Sequence, residues 1–159
     1  MGELIIRKLE DADIEAISII EEETFSMPWK PDDFREMIEK DHMLYVVAEL
    51  DGTVIGGAGL VQVFQHGDVT NVCIAKDFRG HGYGKKLMNG LLDISREQGC
   101  LDYTLEVRVS NERAINLYKQ IGFEDVGIRP GFYEKPREDA MIMTKEMSLE
   151  DFNTTWDSN

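Results

Sequence analysis

Val72-Cys73-Ile74-Ala75-Lys76-Asp77-Phe78-Arg79-Gly80-His81-Gly82-Tyr83-Gly84-Lys85-Lys86-Leu87-Met88 passes from a short apolar run through a polar turn into three alternating glycines and an amphipathic segment. Glycines at 80, 82 and 84 allow backbone angles that other residues avoid. They also let the main chain approach an anion closely, so that the N–H groups opening the next helix point at it and the helix dipole adds partial positive charge. Leu87, Leu91 and Ile94 share one stripe beside Met88 and Leu92, which predicts a helix from Tyr83 that stops at Gly99. The stretch reads as strand, phosphate cradle, helix.

Two other glycine loops fit poorly. A nucleotide P-loop needs Gly-Lys followed by Ser or Thr, and Gly84-Lys85-Lys86 offers no hydroxyl for magnesium. The dinucleotide fingerprint Gly-x-Gly-x-x-Gly has a different spacing. On the glycines alone an ordinary turn stays open. The run Arg79-Gly80-His81-Gly82-Tyr83-Gly84, however, resembles the Arg/Gln-x-x-Gly-x-Gly/Ala signature of the GCN5-related N-acetyltransferases. That resemblance implies acetyl-coenzyme A as co-substrate, with Arg79, Gly80, His81, Gly82, Tyr83, Gly84 and Lys85 around its pyrophosphate. It also implies that Val69–Ala75 splays from its neighbour, so that Val72, Cys73 and Ile74 lie along the pantetheine arm.

The chain has 159 residues, 42% of them hydrophobic, which is one domain's worth with a sizeable core. A formal charge of −14 argues against a nucleic-acid surface and suits a cationic partner, though a merely solubilising surface would look the same. Cys73 and Cys100 form neither a disulfide framework nor a metal pattern, and His42, His66 and His81 lack ligand spacing, so no metal is expected. No apolar run approaches the roughly 18 residues of a membrane span. The N-terminus lacks a signal-peptide layout, and the expected place is the cytoplasm.

Residues 4–9 predict an edge strand, after which Asp11 caps a helix carrying Ile14, Ile17 and Ile20 inward, with Glu21-Glu22-Glu23 on its solvated face. Phe25-Ser26-Met27-Pro28-Trp29 reads as a rigid apolar loop, and Pro31 opens a second helix with Phe34, Met37 and Ile38. Leu44–Glu49 and Thr53–Phe64 are strands joined by the hairpin signal Asp51-Gly52. Gln65–Asp68 turns the chain into the strand Val69–Ala75. Tyr103–Val109 alternates as a strand, and Asn111 caps a helix over 112–121. Strands near Phe123–Gly127 and Ala140–Met147 bracket a loop, Pro130–Asp139. A domain over 1–147 and a tail over 148–159 follow. The order β-α-α-β-β-β-α-β-α-β-β makes a mixed α/β fold. By the resemblance, its sheet is mostly antiparallel, splayed at the acetyl-coenzyme A site and flanked by about four helices.

Acetyl transfer to an amine needs a base for the nucleophile and an acid for the departing thiolate. Leu105-Glu106-Val107-Arg108-Val109-Ser110-Asn111-Glu112-Arg113-Ala114-Ile115-Asn116-Leu117-Tyr118 resembles the Leu-Glu-Val-Arg…Asn…Ala…Leu-Tyr run of the RimI-type ribosomal-protein alanine N-acetyltransferases. The resemblance implies Glu106 as general base, Tyr118 as general acid and Asn111 beside the pantetheine. Read alone, Glu106 is a polar residue on a half-exposed strand, Tyr118 a core tyrosine and Asn111 a helix cap. Further matches are the Pro28-Trp29 loop, Gly122-Phe123, Gly127-Ile128-Arg129, Tyr133 and Glu138-Asp139-Ala140-Met141…Met143. Lys30 and Phe132 stand where that branch usually has serine and tyrosine.

The resemblance implies a substrate: the N-terminal alanine of small-subunit ribosomal protein number eighteen. Met27, Trp29 and Tyr133 would wall the pocket, and Glu138 and Asp139 would attract the basic peptide. Two other readings stay open: acetylation of a small amine, and a coenzyme A-binding module without turnover.

Overall fold

The computed structural model describes residues 2–146 and has the expected element order. Strand β1 (Leu4–Lys8) is followed by helices α1 (Ile14–Thr24) and α2 (Pro31–Glu39), then strands β2 (Met43–Leu50), β3 (Thr53–Val63) and β4 (His66–Ile74). Helix α3 (Tyr83–Glu97), strand β5 (Asp102–Arg108), helix α4 (Glu112–Gln120) and strands β6 (Glu124–Tyr133) and β7 (Glu138–Glu146) complete it. The expected tail, 148–159, and Met147 lie outside the described residues.

The seven strands form one sheet in the order β1-β2-β3-β4-β5-β7-β6, antiparallel except where β4 meets β5. Both faces are covered, and β2 shows why its sequence is a continuous apolar run. Leu44, Val46 and Ala48 join Leu87, Met88 and Leu91 of α3 in one core, while Tyr45 and Val47 join Ile17 of α1 and Phe34 of α2 in another. Each buried Leu, Ile, Val, Phe or Met among them contributes roughly 1.5–3 kcal/mol by leaving water. At the β2–β3 hairpin, Asp51 and Gly52 have φ of 50° and 84°, the backbone of a type I′ turn.

Several boundaries differ from expectation. Asp13, not Asp11, ties down the start of α1: its carboxylate accepts from the Glu10 N–H at 2.9 Å and binds the Arg7 guanidinium at 2.7 and 2.9 Å. The reversal expected at Gln65–Asp68 is tighter, because Phe64 takes a φ of 54° and β4 already begins at His66. Strand β6 runs on through Pro130 to Tyr133, shortening the loop before β7 to four residues, 134–137. As the sheet's edge it leaves the Pro130 position without a required ladder donor.

The two parts of the sheet meet through a short parallel ladder of three pairs, His66↔Asp102, Gly67↔Tyr103 and Asp68↔Thr104. His66 hydrogen-bonds Asp102 through Nδ1 and Asp68 through Nε2. The Asp102 bond, then Asp68, raises the imidazole pKa above its usual value of about 6.5. A raised folded-state pKa means the stabilisation is complete below the unfolded value and is lost as pH rises through the folded one. His66→Asn should therefore melt furthest below wild type near pH 5.5, with the gap closing toward pH 9. A gap constant with pH would show that the imidazole proton plays no part.

Candidate active site

Beyond Asp68, β4 and β5 separate, and a cleft of about 690 Å³ opens between them. Its walls come from Val69–Val72 of β4, Leu105–Arg108 of β5, the segment Thr24–Trp29 after α1, and Phe132–Pro136 at the β6–β7 turn. The Ala75 N–H bonds to the Ile55 carbonyl of β3 at 2.7 Å. Since backbone groups alternate sides along a strand, Cys73 also faces β3, while Val72 and Ile74 present their N–H and C=O groups to the gap. The Cys73 side chain is buried against Gly57 and Tyr45, where burial pushes its thiol up to about 12. It is an inert core group.

At the end of β4 the chain enters the glycine loop. Gly80 and Gly82 take φ of 82° and 81°, and a Cβ built on either meets nothing within 4 Å. The need for glycine there is conformational, and the space beside it is open. Gly84 serves differently: its Cβ position lies 3.3 Å from Leu117 Cδ2, so it lets α3 approach α4. The first turn of α3 closes with the Lys86 N–H on the Gly82 carbonyl, leaving the preceding amides free at the positive end of the helix. This donor set fits a pyrophosphate. His81 and Lys85 are exposed beside the loop and Tyr83 leans on the α3 core. The Arg79 guanidinium turns back, donating to the Ile74 carbonyl at 2.8 Å and the Thr24 hydroxyl at 3.1 Å, so it fastens the loop to β4 and α1.

Glu106 and Tyr118 both line the cleft, one from β5 and the other from the inner face of α4. The Glu106 carboxylate pairs with Arg129 Nη1 at 3.4 Å. Tyr118 is 7% exposed, packs edge-on against Phe123, and has its phenol pKa raised by burial, then by Tyr133 and Cys73. It stays protonated at neutral pH. Asn111 lines the same cleft while its side-chain oxygen accepts from the Ala114 N–H at 3.2 Å, so capping and cleft position coexist.

Met27, Trp29 and Tyr133 line the same cleft. Met27 is 60% exposed, whereas Trp29 is wedged against Phe34 and Tyr45. Burial, then the Glu106 charge, pushes the Tyr133 phenol up to about 12. Arg108 stacks on the Tyr133 ring at 4.4 Å and donates to the carbonyls of Glu134 and Pro136 at 3.2 and 2.9 Å, pinning the β6–β7 turn beside the cleft. Glu138 and Asp139 do not join this wall. Glu138 accepts from the Ser110 N–H at 2.7 Å and pairs with Arg108, bonds that hold its carboxyl below the usual range. Asp139 accepts from the Gly131 N–H at 2.9 Å. Both brace the turn.

Glu21 departs most from expectation. It is 1% exposed at the cleft wall, with Oε1 accepting from Asn71 Nδ2 at 2.8 Å, and burial raises its carboxyl pKa. Three consecutive glutamates carry no signal for which of them faces inward. The inward spacing of Ile14, Ile17 and Ile20 does, since Glu21 lies beside that stripe. Among the described residues, no group of three or more His, Cys, Asp or Glu side chains is placed to hold a metal ion, and no helix is long and apolar enough to cross a membrane.

The sheet parts beside a glycine loop that opens a helix, and Glu106 and Tyr118 line the gap. The chain belongs to the Acetyltransferase (GNAT) family, whose profile matches residues 14–123, and is an N-acetyltransferase. It is 33% identical over 144 residues to the [ribosomal protein bS18]-alanine N-acetyltransferase of Haemophilus influenzae, covering 87% of this chain and 96% of that one. To the enzyme of the same name from Escherichia coli it is 30% identical over 146 residues, with 91% and 98% covered. The crystal structure of the ribosomal-protein-S18-alanine N-acetyltransferase from Escherichia coli superimposes with a TM-score of 0.84, over 92% of this chain and 96% of that one.

Proposed function

We propose that this chain acetylates the N-terminal alanine of ribosomal protein bS18, with acetyl-coenzyme A as donor, Glu106 as general base and Tyr118 as general acid. The observation that carries this reading is the convergence of Glu106 and Tyr118 on one cleft, where β4 leaves β5. The names of the full-length relatives support the substrate.

Bound acetyl-coenzyme A supplies an acetyl carbonyl activated as a thioester. The free amides at the start of α3, with His81 and Lys85 beside them, hold its phosphates, and the outward backbone groups of Val72 and Ile74 hold its arm as an added strand would. The Val72 N–H, facing the gap, polarises the acetyl carbonyl. An α-amine has a pKa near 8, so roughly a tenth is neutral at pH 7, and Glu106 takes one of its two N–H protons as the new C–N bond forms, the other staying on the amide. As the C–S bond breaks, the Tyr118 phenol protonates the sulfur. Met27, Trp29 and Tyr133 leave room for a small first side chain.

The test is mass spectrometry after incubation with acetyl-coenzyme A and two arginine-rich peptides, one beginning with Ala, the other α-blocked with a free lysine. Acetyl on the alanine amine alone is expected; acetyl on the lysine, or on neither peptide, overturns the reading. The net charge of −14 further predicts that KM for the basic peptide rises several-fold between about 50 and 500 mM salt, as screening removes long-range attraction. A flat salt response would show that the acidic surface does not draw the substrate in.

A further inference from the structure

Glu21 is a buried carboxylate that the chemistry above does not use. Its Oε2 is buried with no hydrogen-bond partner among the described residues, an arrangement that destabilises a fold and calls for an explanation. Its Oε1 ends a chain of bonds: the Thr70 hydroxyl donates to Asn71 Oδ1 at 2.7 Å, and Asn71 Nδ2 donates to Glu21 at 2.8 Å.

That chain sits on an irregularity in β4. Val72 pairs with Ala58 and Val69 with Leu60, so Thr70 and Asn71 together stand opposite the single residue Gly59. A Cβ at Gly59 would lie 2.4 Å from the Thr70 hydroxyl and 2.9 Å from Asn71 Oδ1, so glycine makes the room this bulge needs. The extra residue changes the phase of the strand. Val69, Val72 and Ile74 pack on the α3 side and Cys73 on the α1 side, whereas in an unbroken strand Val69 and Cys73 would share a face. The bulge thereby sets which backbone groups of β4 face the cleft.

We propose that Glu21 is a positioning residue for acetyl transfer: acting through Asn71, it pins the bulge to α1 and so aims the Val72 N–H at the acetyl carbonyl. The inference rests on the acetyl-transfer reading above but not on which amine accepts the group.

The experiment is a double-mutant cycle on the full chain, following release of coenzyme A thiol with the Ala-peptide, or with a polyamine if the wild type leaves the peptide untouched. Inactivity of the wild type on the peptide would thus count against the substrate and not against Glu21. Asn71→Asp sets a second carboxylate against Glu21 and should lower kcat about 100-fold through misalignment. Glu21→Gln keeps an acceptor for Asn71 and should stay within about threefold of wild type. The double variant reverses donor and acceptor, and its kcat should return to within about threefold of Glu21→Gln alone. The Kd for coenzyme A, whose phosphates are held at the start of α3 away from the bulge, should change by no more than about threefold in any of the four proteins.

Glu21→Leu removes the bond without a clash, so it should keep its Tm within a few degrees and still lose at least about tenfold in kcat. A double variant no faster than Asn71→Asp, or a Glu21→Leu protein with wild-type kcat, would overturn the assignment.

Discussion

Glu106→Gln should lower kcat by roughly 10²- to 10⁴-fold, the range that a positioned general base supplies. Glutamine keeps the shape and the place on β5 but cannot accept the amine's proton. The charge pair with Arg129 disappears too, yet the arginine side chain is 52% exposed and such pairs contribute about 0–1 kcal/mol, so Tm should hardly move. KM for acetyl-coenzyme A should also hold, because the cradle lies on a different element. A variant within threefold of wild type would reduce Glu106 to a surface partner of Arg129.

Tyr118→Phe should cost about 10- to 100-fold in kcat while the protein remains folded, since the ring still packs on Phe123 and only the O–H is lost. The sharper prediction concerns the leaving group. A thioester whose thiol has a lower pKa departs without help from an acid, so the variant should recover most of its deficit with such an acyl donor. Glu106→Gln should not recover. Equal deficits on both donors would assign Tyr118 to packing alone.

The fold was legible because its signals are local. Asp51-Gly52 announces its hairpin by backbone preference, and Gly80 and Gly82 occupy the left-handed region their spacing implied. The run Leu44–Ala48 faces two cores, and its unbroken apolar character says so. At the candidate site, placement was legible where it follows from a residue's own element, as for Glu106 on the less buried face of β5 or Tyr118 on the inner stripe of α4.

What escaped depends on partners far along the chain. Glu21 is buried because Asn71, fifty positions later, meets it across the bulge. Glu138 braces the turn because Ser110 and Arg108 lie across the β5–β7 ladder. Arg79 folds back because Thr24 ends α1 beside it. None of these pairings leaves a trace in composition or period, since each is a consequence of how the elements pack.

The three-pair parallel ladder also shapes how the molecule assembles. The β2–β3, β3–β4 and β6–β7 pairings close across turns of two to four residues, but β4 and β5 are 27 residues apart, with α3 between them. Closing that span costs more chain entropy than closing a hairpin, and only three pairs repay it. The β2–β3–β4 hairpins therefore form early, and the β4–β5 junction closes late. The cleft does not exist until it does. In refolding, regained acetyl transfer should trail the regained helical signal, because catalysis here needs a junction that closes late.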